Sequence, residues 1–159
     1  MIKGFAGFIR LASRPLLIGL LLCSIVHAAH KPAASISAAA LVQPAALVAQ
    51  LRDKSATAPV LLQVGSRALY DQGHIPGSRY AGPAGEPKGL ESLHAAVASL
   101  AKDTPILIYC GCCPWNRCPN IAAAYDELKA RGFGAVKVLY IAQDFGADWI
   151  DKGYPTESS

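Results

Sequence analysis

From residue 39 onward, short apolar runs alternate with segments of helical period, and this alternation restricts the fold more than any other feature of the chain. "PVLLQV" (59–64), "TPILIY" (104–109) and "AVKVLYI" (135–141) read as buried strands, and "AALV" (39–42) is a shorter apolar run ahead of Pro44. Helix signals lie between them. Pro44 suits a first helical turn, with Leu47, Val48 and Leu51 as the apolar face. "SRALYDQG" (66–73) reads as a short helix closed by Gly73, and "HIPGS" as a turn with Pro76-Gly77 in type II positions. Leu90, Leu93, Val97 and Leu100 share one face of a helix expected over 89–103. Ile121, Ala124, Tyr125 and Leu128 do the same over 119–132, where Gly132 stops the helix. A closing helix is expected over 144–153, with Phe145 and Trp149 four apart. Strand and helix in repeated order mean an α/β fold, a parallel sheet with helices on both faces.

The first 28 residues have another character. Lys3, Arg10 and Arg14 form a positive segment, residues 16–26 are largely apolar, and "VHA" ends at Ala28 with residues that suit signal peptidase. The expected organisation is a cleaved signal peptide over 1–28, a linker rich in Ala, Ser and Pro over 29–38, and one domain over 39–159. The product would be periplasmic or secreted. The alternative is an uncleaved N-terminal anchor, but a spanning helix needs about 20 apolar residues. Leu22 before Cys23 is not the small residue of a lipoprotein signal, and Arg10 and Arg14 are not an adjacent pair.

This segment also supplies most of the formal net charge of +4. Beyond residue 28 the 12 basic and 11 acidic residues nearly balance. That balance gives no argument for nucleic acid or an anionic membrane as partner, and no stable membrane association is expected after cleavage. With 52% apolar and 16% charged residues, the chain is globular in composition.

In open parallel sheets, sites form beyond the C-terminal ends of the strands. The most strand-like run ends directly on "CGCCPWNRCPN" (110–120), which holds Cys110, Cys112, Cys113 and Cys118. An oxidising compartment favours disulfides. Four cysteines in one loop, however, cannot staple distant parts of a fold. The loop runs toward a helix starting near Pro119. Converging N–H groups and the helix N-terminus would lower a thiol pKa there. Arg117 adds a fixed positive charge and is the expected anion-binding residue. A nucleophilic cysteine in an anion cradle follows.

Three stretches carry a family resemblance: "GHIPGS" at 73–78, "ILIYC" at 106–110 and "WIDKGYP" at 149–155. Through them, residues 40–157 resemble a rhodanese-like domain, the single-domain sulfurtransferase family. The resemblance implies a central parallel five-stranded sheet with helices on both faces. It also implies transfer of sulfane sulfur from a small donor or persulfide to a thiol acceptor, which can be a protein. The cysteine directly after the central strand, Cys110, would carry the persulfide.

The chain departs from the family pattern at two places. Gln63 and Gly65 stand where an Asp and an Arg are usual. The usual loop is Cys, four residues, Arg, then Ser or Thr. Here six residues separate Cys110 from Arg117, and Cys118 follows it. Cys112 has the four-residue spacing instead. Spacing favours Cys112, but sheet register resists slippage more than loop length does, so Cys110 is the first choice of carrier, with a two-residue insertion, and Cys112 the alternative. Phosphatase relatives use Cys, five residues, Arg, which no cysteine of this loop matches.

Two other functions compete. Cys110 and Cys113 have a C-x2-C redox spacing, and Cys113 and Cys118 could close the loop, so Cys113 and Cys118 are candidate resolving thiols in a thiol–disulfide oxidoreductase or redox sensor. A non-catalytic binding module is the third reading. No cofactor or metal is expected, because four-cysteine zinc sites use two separated pairs. A soft Cu(I) ion is the alternative among metals, and the lesser reading. Trp115 either walls the substrate site or packs the lengthened loop. His74 is expected to order its turn, His94 to pack half-buried, Asp144 and Asp148 to start a helix, and Trp149 to lie in the core.

Overall fold

The computed structural model describes Met1, residues 36–53, Ser55 and residues 57–159. The expected signal peptide beyond Met1, and most of the expected linker, lie outside the described residues. Among the described residues, no helix is long and apolar enough to cross a membrane.

Five strands form one parallel sheet: β1 (Leu41–Val42), β2 (Val60–Gln63), β3 (Arg79–Tyr80), β4 (Ile106–Tyr109) and β5 (Val136–Leu139). Their spatial order is β1-β5-β4-β2-β3, so β4 is central, as its continuous apolar run implies. Four helices connect them: α1 (Pro44–Arg52), α2 (Arg67–Gln72), α3 (Pro87–Val97) and α4 (Pro119–Ala130). Proline opens α1, α3 and α4, where its missing N–H costs nothing. Ser66 caps α2 by accepting the Leu69 N–H at 3.4 Å.

Alternation along the strands sorts the core into two layers. Leu62, Ile106, Ile108 and Val138 face α3 and α4, where they meet Leu93, Val97, Ile121 and Leu128. Leu61, Leu107, Tyr109 and Leu139 face the opposite layer, with Leu47 and Val48 of α1 and with Phe145 and Trp149. Helices on both faces explain why β4 carries no charged residue. Ile36, within the expected linker, is already buried in the first layer.

Three details differ from the sequence reading. The fifth strand, β3, has two residues, one exposed and one half-buried, and so no apolar run announces it. Helix α3 stops at Val97, short of residue 103. There the chain tightens, with the Leu100 N–H on the Val97 carbonyl at 3.1 Å, and Leu100 still packs against the core. The closing helix is one π-helical turn, Gly146–Ile150, preceded by Phe145. It docks through Trp149, which is fully buried and donates from Nε1 to the Pro155 carbonyl at 2.9 Å.

The "HIPGS" turn forms as expected. The Ser78 N–H donates to the Ile75 carbonyl at 2.9 Å, with Gly77 at φ 73. Tyr109 of β4 anchors it: its hydroxyl accepts the Ile75 N–H at 3.1 Å and bonds the Ser78 hydroxyl at 2.8 Å. His74 does not bond the turn through its ring. Its Nδ1 meets the Tyr70 carbonyl at 2.8 Å, its ring stacks on Tyr70, and its backbone pairs with Glu157. His94 is half-buried as expected, and it also bridges α3 to α4 through Glu127 at 2.6 Å.

Candidate active site

The site begins where β2 and β4 end side by side. Gln63 and Tyr109 are register partners, and the Val64 N–H donates to the Tyr109 carbonyl at 2.9 Å. This pairing brings Gly65 against Cys110, so that a Cβ at position 65 would lie 2.7 Å from the Cys110 sulfur. A side chain at position 65 would need the space that the Cys110 sulfur and the Gln63 amide occupy. Gln63 is buried as well, and its Oε1 accepts the Gly65 N–H at 3.1 Å.

The alternation of β4 continues into the loop. Cys110 falls in line with Ile106 and Ile108, points toward α4, and is only 2% exposed. Cys118, the N-cap residue of α4, is 1% exposed in the same layer. Cys112 is exposed and Cys113 half-buried. The sulfurs nevertheless meet. Cys110 Sγ is 3.4 Å from Cys112 Sγ, which is 3.1 Å from Cys113 Sγ. The contact chain thus runs through Cys112 rather than through the C-x2-C pair that spacing suggests. Cys110, Cys112 and Cys118 have all three sulfurs within 4.8 Å of one another.

Asn120, in the first turn of α4, donates from Nδ2 to Cys110 Sγ at 3.8 Å. The Gly85 N–H donates to the Asn120 Oδ1 at 2.8 Å, which orients the amide with its nitrogen toward the sulfur. The sequence reading did not single out Asn120. Its position two residues after the N-cap cysteine was the available signal.

Cys110, Cys112 and Cys113 are held less acidic than usual, opposite to the lowering expected of a helix N-terminus. A hydrogen bond from Cys112 favours the Cys110 thiolate. A hydrogen bond with Cys118, burial and the Cys118 charge outweigh it, and the Cys110 pKa is raised. The hydrogen bond to Cys110, then burial, raises Cys112. Burial, then the hydrogen bond with Cys112, pushes Cys113 up to about 11. Each sulfur is surrounded by other sulfurs, so ionising one opposes ionising the next.

Beside the loop lies a cleft of about 410 Å³, walled by Gln63, Leu69, Tyr109, Cys112, Asp144 and Phe145 among others. Cys112 is the loop cysteine in its wall. Among the described residues, the cleft lining contains no Lys, Arg or His, and Asp144 is its single charged residue. Asp144 also does what the sequence predicts, capping the last turn by accepting the Ala147 N–H at 2.9 Å. Asp148 likewise sits in this turn and accepts the Gln143 N–H at 2.7 Å.

Two expected site residues stand elsewhere. Trp115 is not in the cleft wall. It packs on the α3/α4 core layer with its ring 6.3 Å from that of Tyr140, and its backbone N–H donates to the Ile141 carbonyl at 2.9 Å. It pins the lengthened loop to the end of β5. Arg117 is exposed in a 3-10 turn, Trp115–Arg117, and is absent from the cleft lining.

The family of rhodanese-like domains matches residues 44–145 of the chain. The chain is a member of the rhodanese-like domain family. Solved structures agree with that assignment at the level of fold. The rhodanese-like domain of the Alr3790 protein from Anabaena sp. is 24% identical with a TM-score of 0.56, over 76% of this chain and 80% of that one. The BH2092 protein from Bacillus halodurans is 19% identical with a TM-score of 0.56, over 74% and 75%. EanB, seen as a cysteine persulfide in a tetrahedral intermediate state with ergothioneine, is 19% identical with a TM-score of 0.56, over 74% of this chain and 27% of EanB. Among curated proteins, none matches the chain. The rhodanese-like frame thus accounts for the parallel sheet and the helices on its two faces.

Proposed function

We propose that this rhodanese-like domain is an exported sulfurtransferase in which Cys112 takes up sulfane sulfur and Cys110 stands behind it as the resolving thiol. The carrying observation is that Cys112 lines the cleft while Cys110, 3.4 Å away, is buried. The Cys112 thiolate attacks the outer sulfur of a donor persulfide. An S–S bond forms to Cys112, the donor's S–S bond breaks, and the donor leaves as its thiolate. A thiol acceptor then takes the sulfur. Where none is present, the Cys110 thiolate attacks the inner sulfur of the Cys112 persulfide, forming a Cys110–Cys112 disulfide and expelling hydrosulfide. The positive and apolar N-terminal segment supports the export part of this reading.

The cleft favours a donor without strong negative charge. Asp144 repels anions, and no basic side chain in the lining offsets it. A persulfide of a neutral or zwitterionic thiol suits it better than the thiosulfate dianion.

Incubating reduced protein with a low-molecular-weight persulfide, then recording intact mass, tests the reading. One added sulfur is expected in the wild type and in Cys113→Ser, and none in Cys112→Ser. An adduct that survives Cys112→Ser and disappears in Cys110→Ser would return the carrier role to Cys110. No adduct in any form of the protein would remove sulfur transfer altogether.

The 3.4 Å contact between Cys110 and Cys112 favours a second reading, a dithiol–disulfide couple that works without sulfane sulfur. A loop disulfide that exchanges reversibly with glutathione, in protein that never accepts sulfur, would select it.

A further inference from the structure

We propose that Cys110, Cys112 and Cys118 form a binding site for Cu(I), whether or not the domain transfers sulfur. Three sulfurs from three places converge: the end of β4, the loop, and the N-cap of α4. All lie within 4.8 Å of one another. Metal–thiolate bonds near 2.3 Å would hold three sulfurs of a trigonal set about 4 Å apart. Small side-chain rotations suffice to reach that geometry, opening the 3.4 Å contact between Cys110 and Cys112 slightly.

The donor set selects the ion. It consists of sulfur alone, and thiolates prefer soft ions such as Cu(I). Zinc is almost always four-coordinate in structural sites. The fourth sulfur of the loop, Cys113, touches Cys112 at 3.1 Å but stands outside the three-sulfur group. Among the described residues, the three thiols that converge within 4.8 Å match the low coordination number of Cu(I).

The surroundings fit a bound cation held by thiolates. Cys110 and Cys118 are buried and come from rigid elements, while exposed Cys112 gives the ion a way in from the cleft. Asn120 donates to Cys110 Sγ at 3.8 Å, and its amide is itself held by Gly85. Donors of this outer kind steady a metal ligand. The N-terminus of α4, at Cys118, offsets part of the negative charge of the thiolates. Binding displaces thiol protons and leaves copper as Cu(I), so no oxidant or reductant takes part. Copper on Cys112 would also occupy the sulfur that faces the cleft, making metal loading and sulfur loading mutually exclusive.

The test is an anaerobic titration of fully reduced protein with Cu(I) against the chromophoric chelator bicinchoninate, with no sulfur donor present. The wild type and Cys113→Ser should each withdraw one equivalent of copper. Cys112→Ser should withdraw none, and because Cys112 is exposed its loss leaves the core intact. Asn120→Ala, which keeps every sulfur, should bind roughly tenfold more weakly. X-ray absorption should report three sulfur neighbours. The proposal is overturned if the wild type leaves all copper with the chelator, if Cys112→Ser binds as well as the wild type, or if Cys113→Ser loses binding and Zn(II) is taken instead with four sulfurs. Sulfur-adduct mass measurements on the same preparations fail or succeed separately, so the two readings stay distinguishable.

Discussion

Gly65 and Cys110 are packed so closely that a Cβ on the glycine would stand 2.7 Å from the cysteine's sulfur. The contact joins the ends of the two central strands. It means that a side chain at position 65 would force the Cys110 sulfur to shift. Gly65→Ala should cost about 1–3 kcal/mol, the usual penalty of overpacking a buried site. Urea unfolding monitored by Trp fluorescence measures it. Stability equal to the wild type would show that the sulfur can move aside freely.

Thiol reactivity should follow exposure. Cys112 alkylates first, Cys113 next, and buried Cys110 and Cys118 only when the loop opens. The thiolate is the reacting form, and the pKa values of Cys112 and Cys113 lie above the ordinary 9.0. Alkylation at both sites should therefore be slow at neutral pH and still be rising above pH 9, with Cys113 half-ionised near pH 11. Peptide mapping of iodoacetamide-treated protein across pH reads both the order and the profiles. A fast reaction at Cys110 in native protein at pH 7 would contradict the burial.

The donor preference should depend on one carboxylate. Thiosulfate ought to load the protein more slowly than a persulfide of a zwitterionic thiol. Asp144→Asn should then speed thiosulfate loading by roughly fivefold, what about 1 kcal/mol of repulsion at close range is worth in water. Asparagine can still accept the Ala147 N–H, so the closing turn is preserved. Added salt should shrink the difference. Equal rates for the two proteins at low salt would show that the dianion does not pass Asp144.

Tyr109 gives the fold an alkaline limit. Burial raises its pKa from 10.0 to about 12, against the lowering effect of the Ser78 and Ile75 hydrogen bonds. Between these values the unfolded chain holds fewer protons than the folded one. Stability is therefore complete below pH 10 and falls as pH rises toward 12. Tyr109→Phe should cost about 1–3 kcal/mol at pH 7, because the Ile75 N–H loses its buried partner. The gap from wild type should then narrow above pH 10, since phenylalanine does not titrate. Urea midpoints at pH 7, 9 and 11 test this, and a constant gap would rule it out.

Much of the architecture was legible in the residues. The apolar runs of β2, β4 and β5 and the helical faces of α1, α3 and α4 each need a partner layer, and their alternation admits a parallel sheet covered on both sides. β3 was not legible, because a two-residue strand with one exposed and one half-buried side chain owes its existence to pairing with β2 alone. The end of α3 was misread for a related reason. Leu100 keeps the helical spacing, but it packs from a tightened turn after the helix has stopped.

For the candidate site, the sequence by itself determined where the four thiols lie: at the end of the central strand, ahead of a helix. Period-two alternation even sets the side of the sheet to which Cys110 points. Only the tertiary structure decided how those thiols face one another and the solvent. The positions of Cys112, Cys118, Trp115 and Arg117 depend on how two extra residues are absorbed by a loop tied to Ile141 at one point and to α4 at another. Periodicity operates within regular elements and stops where they stop. Beyond Tyr109, contacts across the fold choose the geometry. They bury Cys110 and Cys118, turn Cys112 toward the cleft, and bring three sulfurs to one place.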